Sequence, residues 1–483
     1  MPASRLKCTI RITFCFVLAV SAPAWQAKEP AAIRRLYVEP FVTKSGSERL
    51  RQDVIAELRK MKSVSLVSGE SGADVILGGG GELWVRGYRS LNPRSGRLPS
   101  NGTPSYSGFL SVELRDPSGG TLWSYLATPS AATEDVYKDL AKQIARHVVQ
   151  AFDQLEAPAP EPPLSVPATV LKAAGATFPY PVYAKWITNY RRNYPGVEIT
   201  YDALGSEAGV RMLLSGSVDF AASDSPDVIH EFAPAEEGSY LLFPSVIGAV
   251  VPIVNLPGLP GEIAFTPEAL AGIYLGKIKK WNDPVLRHAN PSLRLPALDI
   301  VVVHRAEGSG TTYAWTDYLS KTSPEWKARV GSRLDPTWPV GRGANGNDGV
   351  AKLVKELGGS IGYVEFTYAL QNHLNYARVA NRTGEFVRAS LESIAAAASH
   401  SVQIGDNFKV SIVDPPGRGA YPIASFTWFV VPAHIADDTK RNAIASFLKW
   451  ILGPGQRQAA ALGYLALPQD VVAREKEAIA RIH

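Results

Sequence analysis

The spacing of apolar positions changes character along this chain. Beyond a Pro-rich stretch at residues 157–167, short apolar runs alternate with stretches of helical spacing, the pattern of an α/β fold. Ala168–Lys172 reads as a strand, and Val182, Trp186 and Tyr190 then mark a helix. Val197–Tyr201 reads as the next strand, with Val210, Leu213 and Leu214 on the helix after it. Val246–Val254 is nearly all apolar, as a buried strand should be. Asp299–Val303 is another strand, before a helix carrying Trp315, Tyr318 and Leu319. Phe426–Val431 is a late strand, and Ala443–Leu452 is helical. Ligands of such sheets bind at the carboxyl ends of the strands, where the next helix begins.

The part before the Pro-rich stretch is shorter and mixed. Leu36–Phe41 reads as a strand, and Leu50, Val54, Ile55, Leu58 and Met61 recur at helical spacing. Val64–Val67, Val75–Leu77 and Leu83–Val85 look extended. Phe109–Leu114 and Leu122–Leu126 flank the turn Asp116–Gly120, a hairpin signature. Val136, Leu140, Ile144 and Val148 mark a last amphipathic helix. These elements predict a small α+β module over residues 30–156. Gly78–Gly81 lacks the following Gly-Lys-Ser/Thr of a phosphate loop and reads as a bulged or closely approached strand.

A chain of 483 residues has room for more than one domain. Proline favours extended polyproline II, so residues 157–168 read as a semi-rigid linker. The first 24 residues read as a secretory signal: Arg5, Lys7 and Arg11 are basic, Ile12–Val20 is apolar, and Ala22-Pro23-Ala24 offers small residues for cleavage. Both cysteines, Cys8 and Cys15, lie in this segment, so the mature chain is expected to have no thiol chemistry. Removing three basic residues takes the net charge from +5 to +2, which gives no argument for nucleic acid as a partner. The eight histidines are scattered without ligand spacing, so no metal site or cofactor is expected.

Four short polar clusters stand at strand-to-helix junctions. Thr177 and Phe178 precede a helix with prolines in its first turn. Ser206 stands at the N-cap of the next, offering a hydroxyl and an N–H. In Arg305-Ala-Glu-Gly-Ser-Gly-Thr311, Arg305 supplies a planar fork for an oxyanion, and Glu307 can hold that fork. Ser309 and Thr311 supply hydroxyls, and Gly310 a further N–H. Helix N-termini favour anions through unpaired N–H groups and the helix dipole. Asp224 discriminates among anions, because a carboxylate tolerates only an anion with a proton to donate. Phosphate carries one near neutral pH and sulfate does not. Each cluster also has a purely structural reading: Thr177 and Ser206 as helix caps, Arg305 and Glu307 as a surface pair, Asp224 as a cap of the turn before Pro226.

Together these motifs resemble the periplasmic phosphate-binding protein of the ABC-type phosphate uptake system. The resemblance runs from about Ala173 to near the C-terminus. It includes Gly175–Pro179, Val182–Trp186, Val218–Phe220, Ala222–Asp224, Ile273–Trp281, Gly308–Thr311, Gly-Asn-Asp-Gly at Gly346–Gly349 and Ile361–Glu365. It implies a two-lobed type II periplasmic binding protein fold, here preceded by the small α+β module. Residues 169–252 and 424–483 would form lobe 1, and residues 253–423 lobe 2. It further implies a periplasmic, non-catalytic protein that binds inorganic phosphate for an ABC-type permease in the inner membrane. Thr177, Phe178, Ser206 and Asp224 would bind from the first lobe; Arg305, Ser309, Gly310 and Thr311 would bind from the second. Glu207 departs from the small residue usual there and is expected to weaken anion binding or to favour the helix N-terminus. Glu307 replaces the usual Asp. The module lies outside the resemblance; it admits an envelope partner, and with it an alternative role in envelope interaction or phosphate sensing. A hydrolase is disfavoured: Gly358–Gly362 matches a nucleophile elbow, but Tyr363–Phe366 reads as a strand where an elbow needs a helix.

Overall fold

The computed structural model describes residues 35–483, apart from 62–63, 90–102, 131–132, 134, 153–154, 156–166, 257, 260, 400–404 and 406. The expected signal segment, both cysteines and most of the Pro-rich linker lie outside the described residues.

In the N-terminal module, β1 (Arg35–Val38) pairs in parallel with β3 (Ser65–Leu66) and β4 (Val75–Arg89). The short β2 (Val42–Thr43) also pairs with β4. β4 continues antiparallel into β5 (Thr103–Arg115) and β6 (Thr121–Ala127), the expected hairpin. Helices α1 (Ser47–Leu58) and α2 (Val136–Phe152) pack together and bury Leu50, Val54, Leu58, Leu140, Ile144 and Val148. The two segments expected at 75–77 and 83–85 are one strand. The glycines between them hide the pattern, because β5 comes too close for side chains. A Cβ at Gly79 would lie 2.1 Å from Ser111 O, and one at Gly81 2.0 Å from Phe109 O. The register shift itself sits further along, between Val85 and Gly87.

The remainder is built on one long sheet. Its first strands and helices are β7 (Thr169–Gly175), α3 (Tyr180–Asn193), β8 (Val197–Ala203), α4 (Ser206–Leu214), β9 (Phe220–Ser223) and β10 (Tyr240–Asn255). Then come β11 (Val301–Arg305), α5 (Gly310–Thr322), β12 (Arg342–Ala344), α6 (Gly346–Glu356), β13 (Ser360–Glu365), α7 (Phe366–Gln371) and β14 (Ala424–Pro432). The strand order is β12-β11-β13-β10-β14-β9-β7-β8. Both ends of the sheet are parallel, and the antiparallel β10 and β14 join them. We call the β7–β9 end the first lobe and the β11–β13 end the second. The C-terminal helices belong to the first lobe: Trp186 Nε1 donates to Gly455 O at 2.8 Å, and Tyr190 OH to Ser446 Oγ at 3.0 Å. β10 runs unbroken through the expected boundary at 252/253. The described residues from Arg35 to His483 form one compact unit, so the module and both lobes are packed as a single body. This topology puts the carboxyl ends of β7, β9 and β11, and the helix starts that follow, around one point between the lobes.

Candidate functional site

Five of the eight candidate residues, Thr177, Ser206, Asp224, Gly310 and Thr311, meet between the lobes through contacts to one another or to Asn347. Phe178 and Ser309 adjoin them in the chain, and Arg305 acts on Asp224 through its charge. Gly310 N donates to Ser206 Oγ at 3.0 Å, a bond from the second lobe to the first. Asp224 N also reaches Ser206 Oγ, at 3.4 Å. Gly310 sits so close to Asp224 that an added Cβ would lie 2.5 Å from the Asp224 Cβ. Ser206 is the first residue of α4 rather than its N-cap. Gly205 takes the cap position at φ 104, where glycine adopts the turn without strain, and the Ser206 hydroxyl, not used as a cap, meets the second lobe at Gly310.

The four hydroxyls share one feature. Each accepts an N–H from the protein, which leaves its own proton to give. Ser206 accepts from Gly310 N; Ser309 accepts from Thr312 N at 3.3 Å. Thr177 and Thr311 accept from the two hydrogens of Asn347 Nδ2, at 2.8 and 3.3 Å. All four are buried. The Phe178 carbonyl accepts from Tyr464 OH at 2.8 Å, and the Phe178 ring lies over Gly248.

Arg305 is 2 % exposed. Its Nε donates to Glu307 Oε1 at 2.9 Å, and its Nη2 donates to the same oxygen. Glu307 is fixed in turn by the N–H of Gly346, at 2.9 Å, which occupies the start of α6. Nη1 of Arg305 is buried and has no partner among the described residues, and the same holds for Asp224 Oδ2. The other Asp224 oxygen accepts from Thr427 Oγ1 at 2.6 Å. Asp224 therefore does not act as the turn cap that its position before Pro226 allows. Burial pushes its pKa up to about 7, against the lowering effects of the Thr427 bond and of Arg305. Glu207 pairs with Arg211 at 2.7 Å, its side chain packs against Gly308 of the second lobe, and its backbone N–H bonds Gly308 O at 3.2 Å across the lobes.

The arrangement can hold a small tetrahedral oxyanion. Four O–H groups and one guanidinium N–H are available as donors, and Asp224 Oδ2 and Glu307 Oε2, both buried and without a partner among the described residues, as acceptors. That ratio suits an anion that itself carries a proton. Ser360, the serine of the elbow-like motif, opens strand β13 and donates to Val354 O at 3.0 Å and Leu357 O at 2.6 Å, so it is tied to its own turn.

A family model described as a PBP superfamily domain matches residues 161–454, well over half of the chain. This chain belongs to the PBP superfamily. Among curated proteins, the phosphate-binding protein PstS of Xylella fastidiosa is 42% identical over 304 residues, covering 62% of this chain and 82% of that protein. PstS of Pasteurella multocida is 40% identical over 311 residues, covering 64% and 89%. Among solved structures, a high-affinity periplasmic phosphate-binding protein bound with phosphate aligns with a TM-score of 0.52 at 21% identity, covering 64% and 93%, a likeness of fold.

Within this PBP superfamily domain, sequence reasoning left three side chains unassigned. Asn347 lies in the Gly-Asn-Asp-Gly motif quoted above, and it is wholly buried between Thr177 and Thr311. Thr427 sits on the late apolar strand, where nothing local marks it as a partner of Asp224. Glu365 ends β13 and is fully buried. It accepts from Thr367 N at 2.8 Å, and its backbone N–H bonds Asn347 Oδ1 at 2.9 Å. Two hydroxyls touch its carboxyl, and each also lies nearer a backbone carbonyl: Tyr464 OH at Phe178 O and Thr367 Oγ1 at Leu462 O, both at 2.8 Å. With those protons spent, the longer contacts to Glu365, at 3.2 and 3.3 Å, suit a carboxyl that keeps its own. Burial pushes its pKa well up, in the same direction.

Proposed function

We propose that this chain binds inorganic phosphate in the periplasm and delivers it to an ABC-type phosphate importer of the inner membrane. The observation that carries the reading is that Arg305 Nη1, a buried donor, and Asp224 Oδ2, a buried acceptor, are both unpartnered among the described residues, beside four hydroxyls poised to donate. Thr177, Phe178, Ser206, Asp224, Arg305, Ser309 and Thr311 would bind the anion, and Gly310 would do so by exchanging its N–H bond to Ser206 Oγ for one to the anion. Each bond to a charged oxyanion contributes about 1.5–3 kcal/mol, so micromolar affinity or better, about −8 kcal/mol, is within reach. The names of the PstS relatives support phosphate as the ligand and binding rather than catalysis as the activity. The expected N-terminal signal supports export. Arg305→Ala tests the site. The anion would lose its formal countercharge, and the loss expected by calorimetry is about 2–5 kcal/mol. Normal phosphate binding by that variant would show the site to be elsewhere.

A second reading is a phosphate-sensing protein that uses the lobes as its input. The observation that favours it is that the module is hydrogen-bonded to both lobes.

A further inference from the structure

Strand β6 of the module is wedged between the lobes. Side chains that neighbour each other on a strand point to opposite faces, and here the two faces meet different lobes. Ser124, 4 % exposed, donates to Arg457 O at 2.6 Å and accepts from Ala461 N at 3.1 Å, both in the first lobe. Arg457 Nε returns a bond to Thr121 O at 3.0 Å. The next residue, Tyr125, donates to Glu392 Oε1 of the second lobe at 3.3 Å and stacks on His147, with ring centroids 3.9 Å apart. A second contact with that lobe lies further along the sheet. The His373 ring packs tilted against Trp84, with centroids 4.2 Å apart, and its Nε2 lies 2.7 Å from Glu82 Oε2. His373 holds a left-handed backbone, φ 56, which is uncommon outside glycine.

The segment Ala461–Tyr464 connects this wedge to the anion site. Ala461 N holds Ser124, Leu462 O accepts from Thr367 of the second lobe, and Tyr464 OH holds the carbonyl of Phe178. Four consecutive residues thus touch the module, the second lobe and the first-lobe edge of the site. The lobes themselves are joined across the cleft by the Gly310–Ser206 and Asn347–Thr177 bonds. A hinge rotation that broke those bonds would carry His373 and Glu392 away from a module anchored on Arg457 and Ala461.

We propose that the N-terminal module is a phosphate-responsive output domain whose docking across both lobes is coupled to their closure on the anion. The proposal rests on the phosphate reading given above. Module contacts made in the closed form and lost in the open form favour closure, so they raise phosphate affinity. By linkage, phosphate strengthens module docking by the same factor. Opening would loosen β6 and uncover Trp84, Tyr125 and His147, a surface that a signalling partner could read.

The test is hydrogen exchange of the full chain with and without inorganic phosphate, together with calorimetry of a Tyr125→Phe, His373→Ala double variant. Neither residue belongs to the anion site. Phosphate is expected to slow exchange in β6 and around Trp84 as well as in the cleft segments at Ser206 and Gly310. The double variant is expected to bind phosphate about fivefold or more weaker. Protection at the cleft without protection at β6, or a double variant with unchanged affinity, overturns the coupling alone. Absence of protection at both places overturns the phosphate reading and the coupling with it.

Discussion

Asp224 Oδ2 is a buried acceptor without a partner among the described residues, and in the proposed site its charge state would decide which anion is welcome. In the phosphate-free protein its pKa is pushed up to about 7 by burial, from an ordinary 3.8. The native state then holds a proton between about pH 4 and 7 that the unfolded chain has already released. Stability from this group is present at low pH and is lost as pH rises through about 7. The melting temperature of the phosphate-free protein is therefore expected to fall between pH 5 and pH 8. Asp224→Asn should make that fall shallower; an unaltered slope would contradict the assignment. Glu365 and Glu475, buried and raised in the same direction, keep some slope in the variant. Below about pH 7 a protonated Asp224 can donate, so sulfate should begin to compete with phosphate there, and Asp224→Asn should weaken the rejection of sulfate at neutral pH. At this scale the sequence was legible where a polar residue sits on a strand-to-helix junction, because backbone geometry fixes where it points. Asn347 and Glu365 were not. They act through other side chains, Asn347 on Thr177 170 residues away and Glu365 on Tyr464 99 residues away, and no local spacing carries that information.

Elements bring these residues together by letting backbones approach. The start of α5 meets the end of β9 at Gly310, where a Cβ would fall 2.6 Å from Asp224 Oδ2 as well as against its Cβ. Gly310→Ala should hold the lobes apart and lower phosphate affinity at least about tenfold, since van der Waals contacts that short must be relieved by moving backbone. Calorimetry reads this directly; unchanged affinity would mean that the lobes bind without meeting here. Gly209 acts in the same way within the first lobe, with α4 resting on β7: a Cβ there would lie 2.3 Å from Gly175 Cα. The apolar runs from Thr169 to Pro432 announced β7, β8, β10, β11 and β14 because buried strands read as continuous hydrophobic sequence. β4 was read as two pieces because its four central glycines contribute pairing without side chains. The short β12, only three residues long, leaves too little sequence to mark a period.

At the scale of the whole molecule, the PBP superfamily domain is one part of a larger body. The family model begins at residue 161, whereas the described packed unit already includes β1 from Arg35. The module was legible as an α+β unit from its own periodicity. Its seat on the lobes was not, because Ser124, Tyr125 and His373 are ordinary residues whose partners lie in distant parts of the chain. In the proposed anion site, Arg305 Nη1 and Asp224 Oδ2, buried and unpartnered among the described residues, would select an anion bearing a proton. The most direct measurement is a calorimetric titration of the full chain with phosphate at pH 8, with sulfate titrated in parallel. Micromolar or tighter binding of phosphate with no heat from sulfate is the predicted result. Equal binding of the two anions, or binding of neither, would contradict it.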